Sequence, residues 1–242
     1  MSLSPAVPVP PPPPPPPREP ARHPVPAAPP RRAVLAGSAL TAAGLAIGLA
    51  TLGEGAPFFQ GLDGRWMGAV HGSPGDAVTG FARALDVLGG PLGMVVPLVL
   101  AGCLAVYGRW RSGAFVFAGC VVTNVAVVLP VKQFIDRPRP PGSWVLVGGG
   151  SFPSGQVFTV TALVVTVGVV LFPPVARRWW WLFAAALVAA TIWSRTWLHA
   201  QWLSDAVAGA AMGAGASLLV WCAFARLLEE EAARAASGRL WD

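Results

Sequence analysis

The chain has 242 residues, of which 54% are hydrophobic and only 12% charged, with a formal net charge of +6 and 11 tryptophans. Soluble domains carry about 25% charged residues, so this composition excludes an ordinary water-soluble core and points to a helical membrane bundle. The mean hydropathy of +0.58 agrees. The cations are scattered between apolar runs rather than gathered in a patch, which argues against nucleic acid and for basic loops beside a bilayer.

Residues 1–32 are a different material. More than half of the 26 prolines lie here, including an unbroken run from Pro10 to Pro17. Such a segment forms neither helix nor sheet ladders, so it is expected to be an extended, disordered cytoplasmic arm. It reads first as a solvated tail, with docking to an SH3-like or WW-like protein partner as the alternative. It is no signal peptide, because the basic pair Arg31-Arg32 comes late and no cleavage site follows.

From Ala33 onward, six apolar runs approach the roughly 20 residues a spanning helix needs. They cover about 33–52, 91–108, 112–131, 154–174, 179–198 and 202–225. The expected architecture is all-α: a six-span membrane domain over 33–226, followed by a cytoplasmic tail, 227–242. Residues 53–90 are too polar to span, and two amphipathic pieces, about 63–72 and 74–88, are expected to lie along the interface. His71 in that segment reads as a surface residue. Cys103, Cys120 and Cys222 fall inside apolar runs without metal spacing and read as small hydrophobes. No metal cluster or cofactor motif is visible.

Six spans put Arg31, Arg32, Arg109, Arg111, Arg177, Arg178, Arg226, Arg234 and Arg239 on one side, which the positive-inside rule makes cytoplasmic. Both termini are then inside, in the plasma membrane. Lys132, Arg137, Arg139 and Arg195 fall outside, against the rule, and ask for an anionic partner. Lys132 is the single lysine among 17 basic residues. A flexible point charge suits a phosphate oxygen, and arginine supplies a bidentate fork. Prolines alternate with the arginines in Arg137-Pro138-Arg139-Pro140 and stiffen that loop.

Two further stretches complete the pattern. In Ser151-Phe-Pro-Ser-Gly-Gln156, Ser154 is placed to cap a helix and Gly155 to let a ligand approach the backbone, so the helix start is a ready anion site. Ser194-Arg195 is followed ten residues after the arginine by Asp205. Ionisable groups at the mouth of membrane helices are costly and are functional candidates by default.

Lysine, six residues, Arg-Pro; then Pro-Ser-Gly; then Ser-Arg with its aspartate: together these resemble the type 2 phosphatidic acid phosphatase family, which shares its core bundle with vanadium haloperoxidases. The resemblance covers roughly residues 60–225. It implies a membrane lipid phosphatase fold, no metal or other cofactor, and a phosphorylated lipid or isoprenoid headgroup as ligand. It implies phosphate binding by Lys132, Arg139, Ser154, Gly155 and Arg195, and an orienting role for Asp205. The family's two catalytic histidines are absent. Gln156 stands at the general acid and Gln201 at the nucleophile. An amide is neither a useful proton donor nor a phosphorus nucleophile, yet it still hydrogen-bonds phosphate. The implied protein binds a lipid phosphate and hydrolyses it weakly or not at all.

Other readings stay open. One keeps the chain an active lipid phosphatase, with a water or His199, two residues from Gln201, as substitute nucleophile. Helical rotation of about 200° between them places it on the opposite face, and beside Trp197 and Trp202 it reads as interfacial. A scaffold that recruits partners through its arm and through Glu229 to Glu231 is a third reading. Engineered replacement of both histidines is a fourth.

Overall fold

The structure, a computed structural model, describes residues 28–53, 55–70, 73, 75–90 and 92–236. Most of the proline-rich segment, His71 and residues 237–242 lie outside the described residues. Among the described residues the chain is helical, without strands. The helices are α1 (Ala33–Leu49), α2 (Gln60–Ala69), α3 (Ala77–Gly89), α4 (Val95–Val106), α5 (Trp110–Phe117), α6 (Leu129–Ile135), α7 (Gly155–Val170), α8 (Arg177–Trp197) and α9 (Leu203–Ala236).

α5 and α6 are the ends of one continuous rod, Trp110–Ile135. Wide, π-type turns join them over Ala118–Val122 and Asn124–Val128. Two causes are local. Pro130 has no N–H to give the preceding turn, and Thr123 Oγ1 donates to the Gly119 carbonyl at 2.6 Å, competing within the ladder. The widened stretch puts Asn124, Val128 and Lys132 along one cavity wall. Asn124 Nδ2 donates to Gly155 O at 3.2 Å and Thr159 Oγ1 at 2.8 Å, tying the rod to the start of α7.

α9 is the central helix, with α1 and α7 packed along it. Small residues allow the approach, as between membrane helices generally. A Cβ on Gly215 would come within 2.6 Å of Gly37 O. A Cβ on Gly209 would come within 2.5 Å of Ser154 O, so glycine there lets α9 press directly on the α7 cap.

All six apolar runs are helices, and both amphipathic pieces appear as α2 and α3. Lengths are another matter. Trp110–Ile135 and Leu203–Ala236 are long and apolar enough to cross a membrane; Ala33–Leu49, Val95–Val106 and Gly155–Val170 are apolar but shorter. The 12 residues of α4 reach only about 18 Å, short of a hydrocarbon core of about 30 Å. Large apolar side chains such as Leu35, Val106, Trp179 and Leu182 face outward. In water that surface would be unfavourable, whereas lipid accommodates it.

The basic and acidic ends of the helices are tied into the bundle. Arg177 is not simply a loop cation: its Nε donates to Gly168 O and Phe172 O, both at 3.0 Å, capping the end of α7. Glu229 to Glu231 lie on α9, which runs on to Ala236, and two of the three are engaged by the start of α5 rather than free to recruit a partner. Glu231 is buried and accepts from the Arg111 amide at 2.8 Å, the Ser112 amide at 3.1 Å and the Ser112 hydroxyl. Glu230 pairs with Arg111 at 2.5 Å. The carboxylate of Glu231 thus takes up the orphan donors at the α5 start. Glu231→Ala is expected to cost about 2–3 kcal/mol, since buried donors left unmet cost about 1–3 kcal/mol each. A thermal melt in detergent reads this directly, and an unchanged midpoint would refute it.

Candidate active site

The loop after α6 begins with Asp136 in the left-handed region, φ 39°, which reverses the chain. Its two arginines then go opposite ways. Arg137 turns into the bundle. Its NH1 donates to Asp205 Oδ1 at 2.5 Å and Ser204 Oγ at 2.8 Å, and its NH2 to Asp63 Oδ2 at 2.9 Å and Gln60 Oε1 at 2.7 Å. The guanidinium also lies over the rings of Phe59 and Trp202. Arg137 and both of its charged partners are buried. Arg139 turns toward a cavity and is braced by carbonyls: Gly149 O at 2.9 Å, Gly148 O at 2.8 Å and Ala200 O at 2.6 Å. These take three of its five N–H groups, which leaves two to donate elsewhere.

Ser154 caps α7 as expected: its Oγ accepts from the Val157 amide at 3.3 Å. The same oxygen donates to Gln201 Oε1 at 2.5 Å. Gly155 follows and lines a cavity with Lys132, whose Nζ donates to Gly150 O at 2.7 Å. Gln156 points elsewhere than Gln201; its Nε2 donates to the Asp86 carbonyl of α3 at 2.8 Å.

Arg195 occupies the last turn of α8. Its NH1 pairs with the carboxylate of Asp86, and its Nε reaches Gln201 Oε1 at 3.3 Å. Gln201 is 3% exposed and lies one layer beneath the cavity surface, with Nε2 donating to Ser151 O at 3.1 Å. Asp205 does not contact it. Its two oxygens are taken by Arg137 and, at 2.5 Å, by Ser151 Oγ. The expected orienting bond from Asp205 to position 201 is therefore replaced by an indirect link through Ser151, whose hydroxyl serves Asp205 while its carbonyl serves Gln201. The carboxylate goes to Arg137 because a buried anion gains more from a cation than from an amide.

A cavity of about 520 Å³ is lined by Arg83, Asp86, Arg139, Trp144, Gln156 and Arg195 among others. An adjoining one of about 180 Å³ is lined by Lys132, Asn124, Gly155 and Gln156. Arg139 and Arg195 share the larger space, Lys132 the smaller, and Gln156 and Gly90 border both. The charges sense one another across these walls. Burial, then the nearby Arg195 charge, push Arg139 below the ordinary guanidinium range, with Asp205 partly offsetting them. An anion entering there would relieve that repulsion.

His199 is not among the cavity-lining residues. It stacks on Trp144 with centroids 5.4 Å apart, and its Nδ1 lies 3.3 Å from Pro141 O. Helical rotation is not what turns it away. α8 has already ended, and His199 takes φ 53°, so chain reversal directs the ring.

Sequence reasoning missed Asp63, Arg83, Asp86 and the inward role of Arg137. A signal was present for the cations: Arg65 and Arg83 also fall on the outer side of a six-span threading, against the positive-inside rule. No comparable signal marked Asp63 or Asp86, because charges on amphipathic helices are ordinarily solvated.

No curated protein matches the chain. Among solved structures, the fold is similar to the crystal structure of a transmembrane PAP2 type phosphatidylglycerolphosphate phosphatase from Bacillus subtilis, with TM-score 0.62 and 17% identity. The match covers 81% of this chain and 96% of that one. Residues 113–229 match the PAP2 superfamily. That interval holds every candidate residue from Lys132 to Asp205 and leaves out Asp63, Arg83 and Asp86. Fold and sequence comparison thus agree in likeness: residues 113–229 match the PAP2 superfamily, and the bundle around them is similar in fold to a PAP2 type phosphatase.

Proposed function

We propose that the chain is a six-span membrane protein of the lipid-phosphatase type, which binds a phosphorylated lipid or isoprenoid headgroup and hydrolyses it weakly or not at all. Both termini are cytoplasmic and the site opens on the outer face of the plasma membrane. The observation that carries this reading is that Arg139 and Arg195 wall one cavity beside Gln156, with Lys132 in the adjoining space. Each guanidinium keeps donors beyond its internal partners, so positive groups that bind an oxyanion stand next to amides that cannot drive phosphoryl transfer.

The position of α3 supports a lipid headgroup as ligand. Val78, Phe81 and Leu88 are exposed along one side of this helix, while Arg83, Asp86, Val87 and Gly90 wall the cavity. An amphipathic helix of this kind lies in the headgroup plane with its apolar side toward the acyl chains, which sets the cavity at headgroup depth. Lys132, Arg139, Ser154, Gly155 and Arg195 hold the phosphate in this reading, and Asp205 secures the floor through Ser151.

The test is titration of the detergent-purified chain with short-chain phosphatidic acid. Arg139→Ala combined with Arg195→Ala is expected to weaken binding about 10²-fold, from two charge-assisted contacts of about 1.5–3 kcal/mol each, discounted for partial exposure. Unchanged affinity in the double variant would end the proposal.

A further inference from the structure

α3 places residues 83, 86, 87 and 90 on one wall of the larger cavity, the i, i+3, i+4, i+7 spacing of a single helix face. Two of these are charged and differ in what they touch. Asp86 is paired with Arg195. Among the described residues Arg83 makes no hydrogen bond or ion pair, although an aspartate lies one turn further along its own helix. Asp86 is already engaged across the cavity, so Arg83 lines the same space with its guanidinium donors uncommitted. Arg83, Arg139 and Arg195 against Asp86 leave this cavity with two positive charges in excess.

Two guanidinium forks, Arg139 and Arg195, are enough to hold one phosphoryl group, which leaves the Arg83 donors over. We propose that Arg83 is a second anion-recognition point on α3, which gives the cavity a preference for headgroups bearing two adjacent phosphoryl groups over those bearing one. The inference rests on the phosphate-binding reading above and adds a specificity-determining residue outside the PAP2-matching interval. A second phosphoryl group, joined to the first through a bridging oxygen, would take the uncommitted Arg83 fork and the excess charge together.

The experiment compares inorganic pyrophosphate with inorganic phosphate, by calorimetric titration of the full chain in detergent at one fixed ionic strength. The unaltered chain is expected to bind pyrophosphate about tenfold more tightly. Arg83→Ala should erase that difference while leaving the phosphate affinity within about twofold, and Arg83→Lys should keep part of it as a point charge. Arg83 is exposed, and a matching melting midpoint for each variant excludes a folding defect. Equal affinity for both anions in the unaltered chain, or a preference that survives Arg83→Ala, overturns the inference while phosphate binding stands. An equal loss for both anions on Arg83→Ala makes it a general field effect and also overturns it. Failure of the unaltered chain to bind either anion sinks the phosphate-binding reading itself, and this inference with it.

Discussion

Phosphate release from phosphatidic acid by a variant carrying both Gln156→His and Gln201→His is expected to exceed that of the unaltered chain by at least about 10²-fold. A general acid alone is worth about 10²–10⁴-fold, and a nucleophile acting with it adds more, though not additively. The geometry favours the gain at position 201. The present side chain spans Ser154 Oγ, Arg195 Nε and the Ser151 carbonyl. An imidazole there would stand among the same groups, beside the Arg195 guanidinium that walls the cavity. Each single substitution is expected to gain little, because acid and nucleophile act on the same bond. A double variant that still binds phosphate but releases none would refute the view that two amides are the deficit. Attention would then shift to Asp205, whose carboxylate is committed to Arg137 and Ser151 rather than to position 201.

The second large effect lies in that commitment. Arg137→Ala is expected to destabilise the bundle by about 3–5 kcal/mol, the usual cost of removing one partner from a buried ion network. It would leave Asp63 and Asp205, 1% and 0% exposed, without their shared cation. Arg137→Lys should recover only a minor part, because an ammonium cannot reach both carboxylates, Gln60 and Ser204 in the same planar fork. Adding Asp63→Asn to Arg137→Ala should cost less than the sum of the two single changes, since the neutral amide no longer needs the cation. Chemical denaturation in detergent gives these differences, and a loss below about 1 kcal/mol for Arg137→Ala would mean that water or a neighbour compensates.

Arg137 and Arg139 show what a motif does and does not reveal. Two residues apart with a proline between and after, they read as two stems held stiffly for one anion. One stem, Arg139, faces the cavity. The other goes inward, because Asp63 arrives from α2, 74 residues away in sequence, with a second carboxylate. Asp86 is a parallel case. Its partner Arg195 lies 109 residues away, and only the packing of α3 against α8 brings them together. His199 teaches a related lesson, since its exclusion from the cavity follows from a left-handed residue that hydropathy does not forecast.

Residue order alone was enough for the helical character, the places of the apolar runs, and the three polar stretches with glutamine at two positions. Those features rest on local periodicity and on chemical identity, which need no partner to be read. Which cation faces the cavity and which ties the fold came from long-range contacts between carboxylates on α2, α3 and α9 and arginines elsewhere. A buried charge is placed by the nearest opposite charge that folding supplies, and that neighbour is not written next to it in the chain.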